Sequence, residues 1–203
     1  MFFMHIKQGQ LPILIVNLIA LIGFSVLFIY QQNYEFIYYV GVIIFFLVVV
    51  LMTNRRVNFP NTLLWGLTLW SLMHMTGGGI KINGEVVYRL ILIPLIGEPY
   101  NILKYDQLVH MIGFGLATYL MFILLEPLLK PDKKRSASVW IIVIMAGLGV
   151  GALNEMVEFI ATVVSPETGV GGYMNTLLDL VADFIGGIVA MLFIWRKKLK
   201  PVS

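Results

Sequence analysis

Asp106, Glu155, Glu158, Asp179 and Asp183 lie inside apolar stretches long enough to cross a bilayer, and none of the 14 Lys and Arg residues does. Ionised carboxylates in hydrocarbon are costly, and intramembrane acids mark ion paths, proton relays or catalytic sites. Their spacing is that of helix faces. Asp106-x-x-x-His110 and Asp179-x-x-x-Asp183 are i,i+4 pairs and Glu155-x-x-Glu158 is an i,i+3 pair. Three helices would therefore each offer two ligand-capable groups about 5–6 Å apart at Cβ. Carboxylates and imidazoles projecting from facing helices are how bundles hold metal, although the Glu-x-x-His spacing of di-iron bundles is absent. A mixed nitrogen and oxygen donor set suits a divalent ion such as Zn, Mn, Fe or Ni. The expected ligands are His74, Asp106, His110, Glu155, Glu158, Asp179 and Asp183. Glu155 or Glu158 would serve as general base for an attacking water, with Asn154, Asn175 and Thr176 as outer partners or further ligands.

Protons, or Lys81, Arg89 and Lys104 folding down from a loop, are the other ways to neutralise these acids. Five acids with two histidines exceed what so few cations compensate, which places metal ahead of a proton relay and structural pairing. Individual residues also carry plainer readings. His74 could be an interhelical hydrogen bonder, Asp106 a helix N-cap, and Glu126, beside Pro127, an interfacial charge. His5 is a terminal residue with no partner in view. Gly147, Gly149 and Gly151 resemble part of a dinucleotide fingerprint but follow no strand. Gly147-x-x-x-Gly151 reads instead as a close-packing face, to which Gly113 with Gly115 and Gly186 with Gly187 would answer. There is no Ser nucleophile elbow, phosphate loop or His-Glu-x-x-His run.

The elements that must position these residues are membrane helices. The chain is 59% hydrophobic and 12% charged, against about 25% charged for an ordinary soluble domain, and its apolar residues fall in runs. An all-α, polytopic transmembrane helical bundle in one integral membrane domain (1–203) follows, with six spans: 11–30, 36–52, 61–75, 105–129, 139–163 and 173–195. Residues 1–60 would hold two scaffold spans and 61–195 a four-span core carrying the polar site. The first span reaches full bilayer length with no small-residue cleavage pattern after it, so it reads as an anchor. With no Cys, disulfides and thiolate chemistry are excluded. In this topology 11 of the 14 cations, from Lys7 through Arg55, Arg56, Lys130, Lys133, Lys134 and Arg135 to Arg196, Lys197, Lys198 and Lys200, share one side. The positive-inside rule makes that side, and both termini, cytoplasmic. The +3 net charge then signals topology and meets membrane lipid headgroups, with no nucleic-acid partner needed. The acids and His74 would all lie in the outer half of the bilayer.

The connection 76–104 is extracytoplasmic and opens with Gly77, Gly78 and Gly79. Asn83-Gly84, between short alternating runs, signals a hairpin, which makes a cap or a lid over the site. Residues 89–96 are apolar, only a few turns long and contain Pro94, so they should lie in the interface or re-enter. Tyr34, Tyr38, Tyr39, Trp65, Tyr88, Tyr100, Trp140 and Trp195 would form an interfacial belt.

Tyr105-Asp106-Gln107-Leu108-Val109-His110, Glu155-x-x-Glu158 and Asp179-x-x-x-Asp183 followed by Gly186-Gly187 resemble YjdF, an uncharacterised bacterial inner-membrane protein family. His74-Met75-Thr76-Gly77-Gly78 adds a further YjdF-like element. The region 105–194 is more distantly similar to the VanZ-like family, which includes a teicoplanin-resistance factor and runs Asp-Lys-x-x-His, Glu-x-x-Gln, Asp-x-x-x-Asn. This chain departs from that pattern at Gln107, Glu158 and Asp183, each time towards a more acidic site. The resemblance implies a multi-pass protein of the bacterial plasma (inner) membrane but no established reaction. A hydrolase or transferase acting on a lipid-linked or cell-envelope substrate is the expected function. The alternatives are a proton- or metal-ion-coupled transporter, which nothing polar in the inner halves of the last three spans favours, and a non-enzymatic assembly protein. The apolar first two spans could supply a surface for a homo-oligomer.

Overall fold

A computed structural model describes residues 6–134, 136–164 and 171–197. His5, Arg135, Lys198 and Lys200 lie outside the described residues. The chain divides into two compact units, Met1–Leu90 and Ile91–Ser203.

In the first unit, Pro12 stands at the head of an apolar run where its missing N–H costs nothing, and α1 spans Leu11–Tyr30. Asn33 Oδ1 accepts from the Phe36 amide (3.2 Å) as the N-cap of α2, Tyr34–Val57. Arg55 and Arg56 occupy its last turn, where cations complement the helix dipole, and Asn58 closes it in the left-handed conformation. After Pro60, α3 runs Asn61–Gly79. The three helices pack around Leu21, Phe28, Phe36, Tyr39, Val40, Ile43 and Met75. Polar residues fasten the packing. Asn17 Nδ2 of α1 donates to Thr68 Oγ1 of α3 (2.7 Å), and Asn54 Nδ2 of α2 donates to Gln10 Oε1 (2.6 Å).

α3 continues through Gly77, Gly78 and Gly79, which the sequence had placed in the loop. A Cβ on them would enter the rings of Tyr88, Phe36 and Phe28 respectively. Each glycine costs a helix about 1 kcal/mol, and seating a buried ring against each offsets it. The Asn83-Gly84 hairpin is present: β1 (Lys81–Ile82) pairs antiparallel with β2 (Glu85–Val86), and both turn residues have positive φ.

α1, α2 and three later helices are long and apolar enough to cross a membrane. α3 is not in that set, because Thr68, Ser71, His74 and three glycines dilute it. By packing, α3 also belongs with α1 and α2, whereas the sequence had grouped it with the later spans.

The second unit begins with a strand pair. Residues 91–96, expected to lie in the interface or re-enter, are extended rather than wound into turns: β3 (Ile91–Ile96) pairs antiparallel with β4 (Ile102–Lys104). The β-branched Ile91, Ile93 and Ile96 favour extended backbone, and Pro94, which cannot donate to a ladder, is tolerated in a two-stranded ribbon. α4 (Tyr105–Leu125) opens with Gln107 Oε1 accepting from the amides of Leu103 (2.7 Å) and Lys104 (3.0 Å). It stops at Glu126 and Pro127, and Lys134 pairs with Glu126 (3.2 Å). α5 (Ala137–Val164) and α6 (Tyr173–Lys197) complete a three-helix group whose core is Phe122, Val139, Val143, Met191 and Ile194. Glycines set the closest approaches. A Cβ on Gly186 would strike the Met111 carbonyl of α4, and one on Gly147 would strike Thr118. Trp140 and Trp195 meet edge to face at 6.4 Å, while Tyr39 and Tyr88, assigned to the belt from sequence, turn inward.

A candidate metal centre

Six of the seven expected ligands meet at one end of α4, α5 and α6. Asp106 and His110 come from the first turns of α4, Glu155 and Glu158 from the last third of α5, and Asp179 and Asp183 from the first half of α6. The antiparallel run of α5 against α4 and α6 brings its late residues to the level of their early ones.

His110 is the hub, with its side chain 8% exposed. Its Nδ1 lies 3.1 Å from Asp183 Oδ1 and 4.0 Å from Glu155 Oε1, and its Nε2 lies 4.0 Å from Asp106 Oδ1. An ionised carboxylate can only accept, so Nδ1 donates to Asp183, and Nε2 is turned towards Asp106. This is how metal-binding histidines are set, with an outer carboxylate fixing tautomer and ring orientation. Asn175 Nδ2 donates to Asp179 Oδ2 (2.5 Å) and Asp106 Oδ2 (3.3 Å), clamping acids from two helices. Asn154 Nδ2 donates to Glu158 Oε1 (2.8 Å). Both asparagines thus hydrogen-bond acids of the cluster.

Asp106, His110 and Asp179 each bring a donor atom within 4.8 Å of the others, and so do His110, Glu155 and Glu158. Asp179 and Asp183 are 0% and 1% exposed. Asp179 Oδ1, Asp183 Oδ2 and both Glu155 oxygens are buried without a hydrogen-bond donor. Among the described residues, no Lys or Arg forms an ion pair with any of the five acids. Buried anionic oxygens without donors are the atoms a cation would satisfy, and the donor set of one imidazole and several carboxylates fits a divalent metal.

Asp106 is not the N-cap of α4. Gln107 does the capping, and Asp106, one residue earlier, turns its carboxylate to Asn175 and His110. His74 stands in the first unit in an aromatic setting of its own. Its Nδ1 shares a hydrogen bond with Tyr88 Oη (2.6 Å), and Phe36, Tyr39, Trp70 and Tyr88 surround the ring at centroid distances of 5.3–5.8 Å. Arg89, one of the loop cations weighed for compensation, pairs with Glu85 (2.9 Å).

Sequence reasoning missed Gly151 as a site residue. A Cβ there would fall on Asp183 Oδ2, so this glycine seats the carboxylate that orients His110. The signal was available: Gly151 lies one turn before Glu155, on the same face of α5.

No curated protein and no solved structure matches the chain. Residues 11–200 match the family described as predicted membrane protein (DUF2238), and the chain belongs to that family.

Proposed function

We propose that the protein is a multi-pass protein of the bacterial plasma membrane, α3 crossing together with the five more apolar helices so that both termini are cytoplasmic, that binds divalent metal near the outer leaflet and uses it in hydrolysis or group transfer on a lipid-linked or cell-envelope substrate. One observation carries this reading: four buried carboxylate oxygens without donors converge on an imidazole whose Nδ1–H is already taken by Asp183. Asp106, Asp179 and His110 Nε2 are the first ligands by this logic. A divalent ion there would supply a Lewis acid and an activated water. Asp183 would hold the ring, Asn175 would hold the two aspartates, and Glu155 or Glu158 would accept the water's proton.

The placement of the acids at one end of the helices, with the Asp106 side chain 20% exposed, favours a substrate approaching from that end. The likeness of 105–194 to YjdF and, more distantly, to VanZ-like proteins supports an envelope setting. The more acidic residues Gln107, Glu158 and Asp183 speak for cation binding over a glycopeptide-resistance role.

Metal analysis of the protein purified in detergent without chelator tests this. At least one divalent ion per chain is expected, with less metal bound on Asp179→Asn. No bound divalent ion in the unaltered protein would overturn the proposal. Cation uptake into proteoliposomes that depends on Asp183 would instead favour the transporter.

A further inference from the structure

The two ring nitrogens of His110 face different acids. Nε2 is turned to Asp106, and Nδ1 to Asp183 and Glu155. Each side has its own amide clamp, Asn175 on Asp106 and Asp179, Asn154 on Glu158. The residues that carry oxygens without donors divide in the same way: Asp179 groups with Asp106, and Glu155 and Asp183 lie against Nδ1. Glu155 is buried, its side chain 8% exposed, and it brings an oxygen within 4.8 Å of both Glu158 and the imidazole. Asp183 Oδ2 rests on Gly151, one helical turn from Glu155 on α5. Charge points the same way. With the imidazole bound to metal and so neutral, five carboxylates would keep three uncompensated charges with one divalent ion, and one with two.

We infer that the centre holds two divalent cations in chemically different positions: one among Asp106, His110 Nε2 and Asp179, and a second, all-oxygen position among Glu155, Glu158 and Asp183 on the opposite side of the imidazole. This rests on the metal reading proposed above and goes beyond it in number and kind. Because Nδ1 carries a proton held by Asp183, it cannot ligate the second ion, whose donors are then carboxylates alone. The first position suits a borderline ion such as Zn²⁺ or Mn²⁺, and the second a hard ion such as Mg²⁺ or Mn²⁺. A glutamate at the second position can bind its ion through one oxygen and accept a proton on the other.

The test uses the full chain in detergent, stripped with chelator, reloaded with Mn²⁺ and separately with Zn²⁺, and measured for metal per chain by elemental analysis. Two Mn²⁺ per chain are expected, with the magnetically coupled signal of a close pair in electron paramagnetic resonance. Glu155→Gln and Asp179→Asn should each reduce the count to one. The ion kept in Glu155→Gln should show nitrogen coupling from histidine, and the ion kept in Asp179→Asn none. One Mn²⁺ in the unaltered chain, removed equally by either substitution, overturns the second position and leaves the metal reading intact. Nitrogen coupling to both retained ions overturns the all-oxygen assignment, and no bound Mn²⁺ or Zn²⁺ overturns the inference together with the metal reading. Unchanged helical circular dichroism in both variants guards against unfolding as the cause.

Discussion

Both units bury polar side chains among apolar helices, and they treat them in opposite ways. In Met1–Leu90 the buried amides and hydroxyls bind each other: Gln10 with Asn54, Asn17 with Thr68, His74 with Tyr88. Among the described residues, no buried side-chain nitrogen or oxygen of that unit lacks a partner. In Ile91–Ser203 the acids are clamped by Asn154 and Asn175 yet keep four oxygens without donors. Interhelical hydrogen bonds in membranes are modest glue, and a pair that satisfies itself has done its work. Side chains held rigidly in place with their best acceptor atoms left free are arranged for something else to bind. Burial of polar groups therefore does not separate scaffold from site; unsatisfied valence does.

The comparison breaks most visibly at Asp179. Asp179→Asn removes a buried anion at the centre of the first ligand group, and metal affinity should fall by at least about 100-fold, or roughly 2.7 kcal/mol. Isothermal titration with Zn²⁺ reads this directly, and an unchanged affinity would make the second unit a scaffold like the first. Next in size is Gly78→Ala in the first unit. The added methyl would enter the Phe36 ring, and overpacking of this kind costs about 1–3 kcal/mol. Stability in a denaturant series should drop accordingly while bound metal per folded chain stays constant. A smaller effect is expected from Gly151→Ala, also a glycine filled by a methyl, but one that displaces Asp183 rather than a ring. Loss of an outer carboxylate's positioning typically weakens metal about 10-fold or somewhat more. A stability loss with unchanged metal affinity would show that Gly151 serves packing alone.

Residues whose meaning lies in helix periodicity were legible from sequence. The acid pairs at i,i+3 and i,i+4, their shared end of the bundle, and the asparagines beside them all follow from 3.6 residues per turn and an alternating chain direction. The Asn83-Gly84 turn was legible because positive φ at two adjacent residues demands those types. Residues whose meaning lies in a neighbour from elsewhere in the chain were not. Gly77 to Gly79 read as loop because nothing local announces the three rings that fill their Cβ space. That 91–96 is strand rather than turns was not legible because a short apolar segment has no period to distinguish the two. Asp106 was discounted as a cap because the residue that caps α4, Gln107, reaches back to amides the sequence does not mark.

The smallest expected effect is the sharpest control. Asn17 Nδ2 donates to Thr68 Oγ1 (2.7 Å) and to the Ile13 carbonyl (2.8 Å), so it is doubly satisfied and joins α1 to α3. Asn17→Ala removes one interhelical bond and leaves Thr68 with the Leu64 carbonyl (2.9 Å) to donate to, so no buried donor is orphaned. Such bonds in membranes average about 0.6 kcal/mol, reaching about 1.7 kcal/mol at most. A fall in unfolding free energy within that range, with metal stoichiometry unaltered, is the signature of glue. A loss of bound metal from Asn17→Ala would mean that a fully satisfied polar pair can still govern the acid cluster, and the distinction between satisfied and unsatisfied polar groups would lose its power to locate the site.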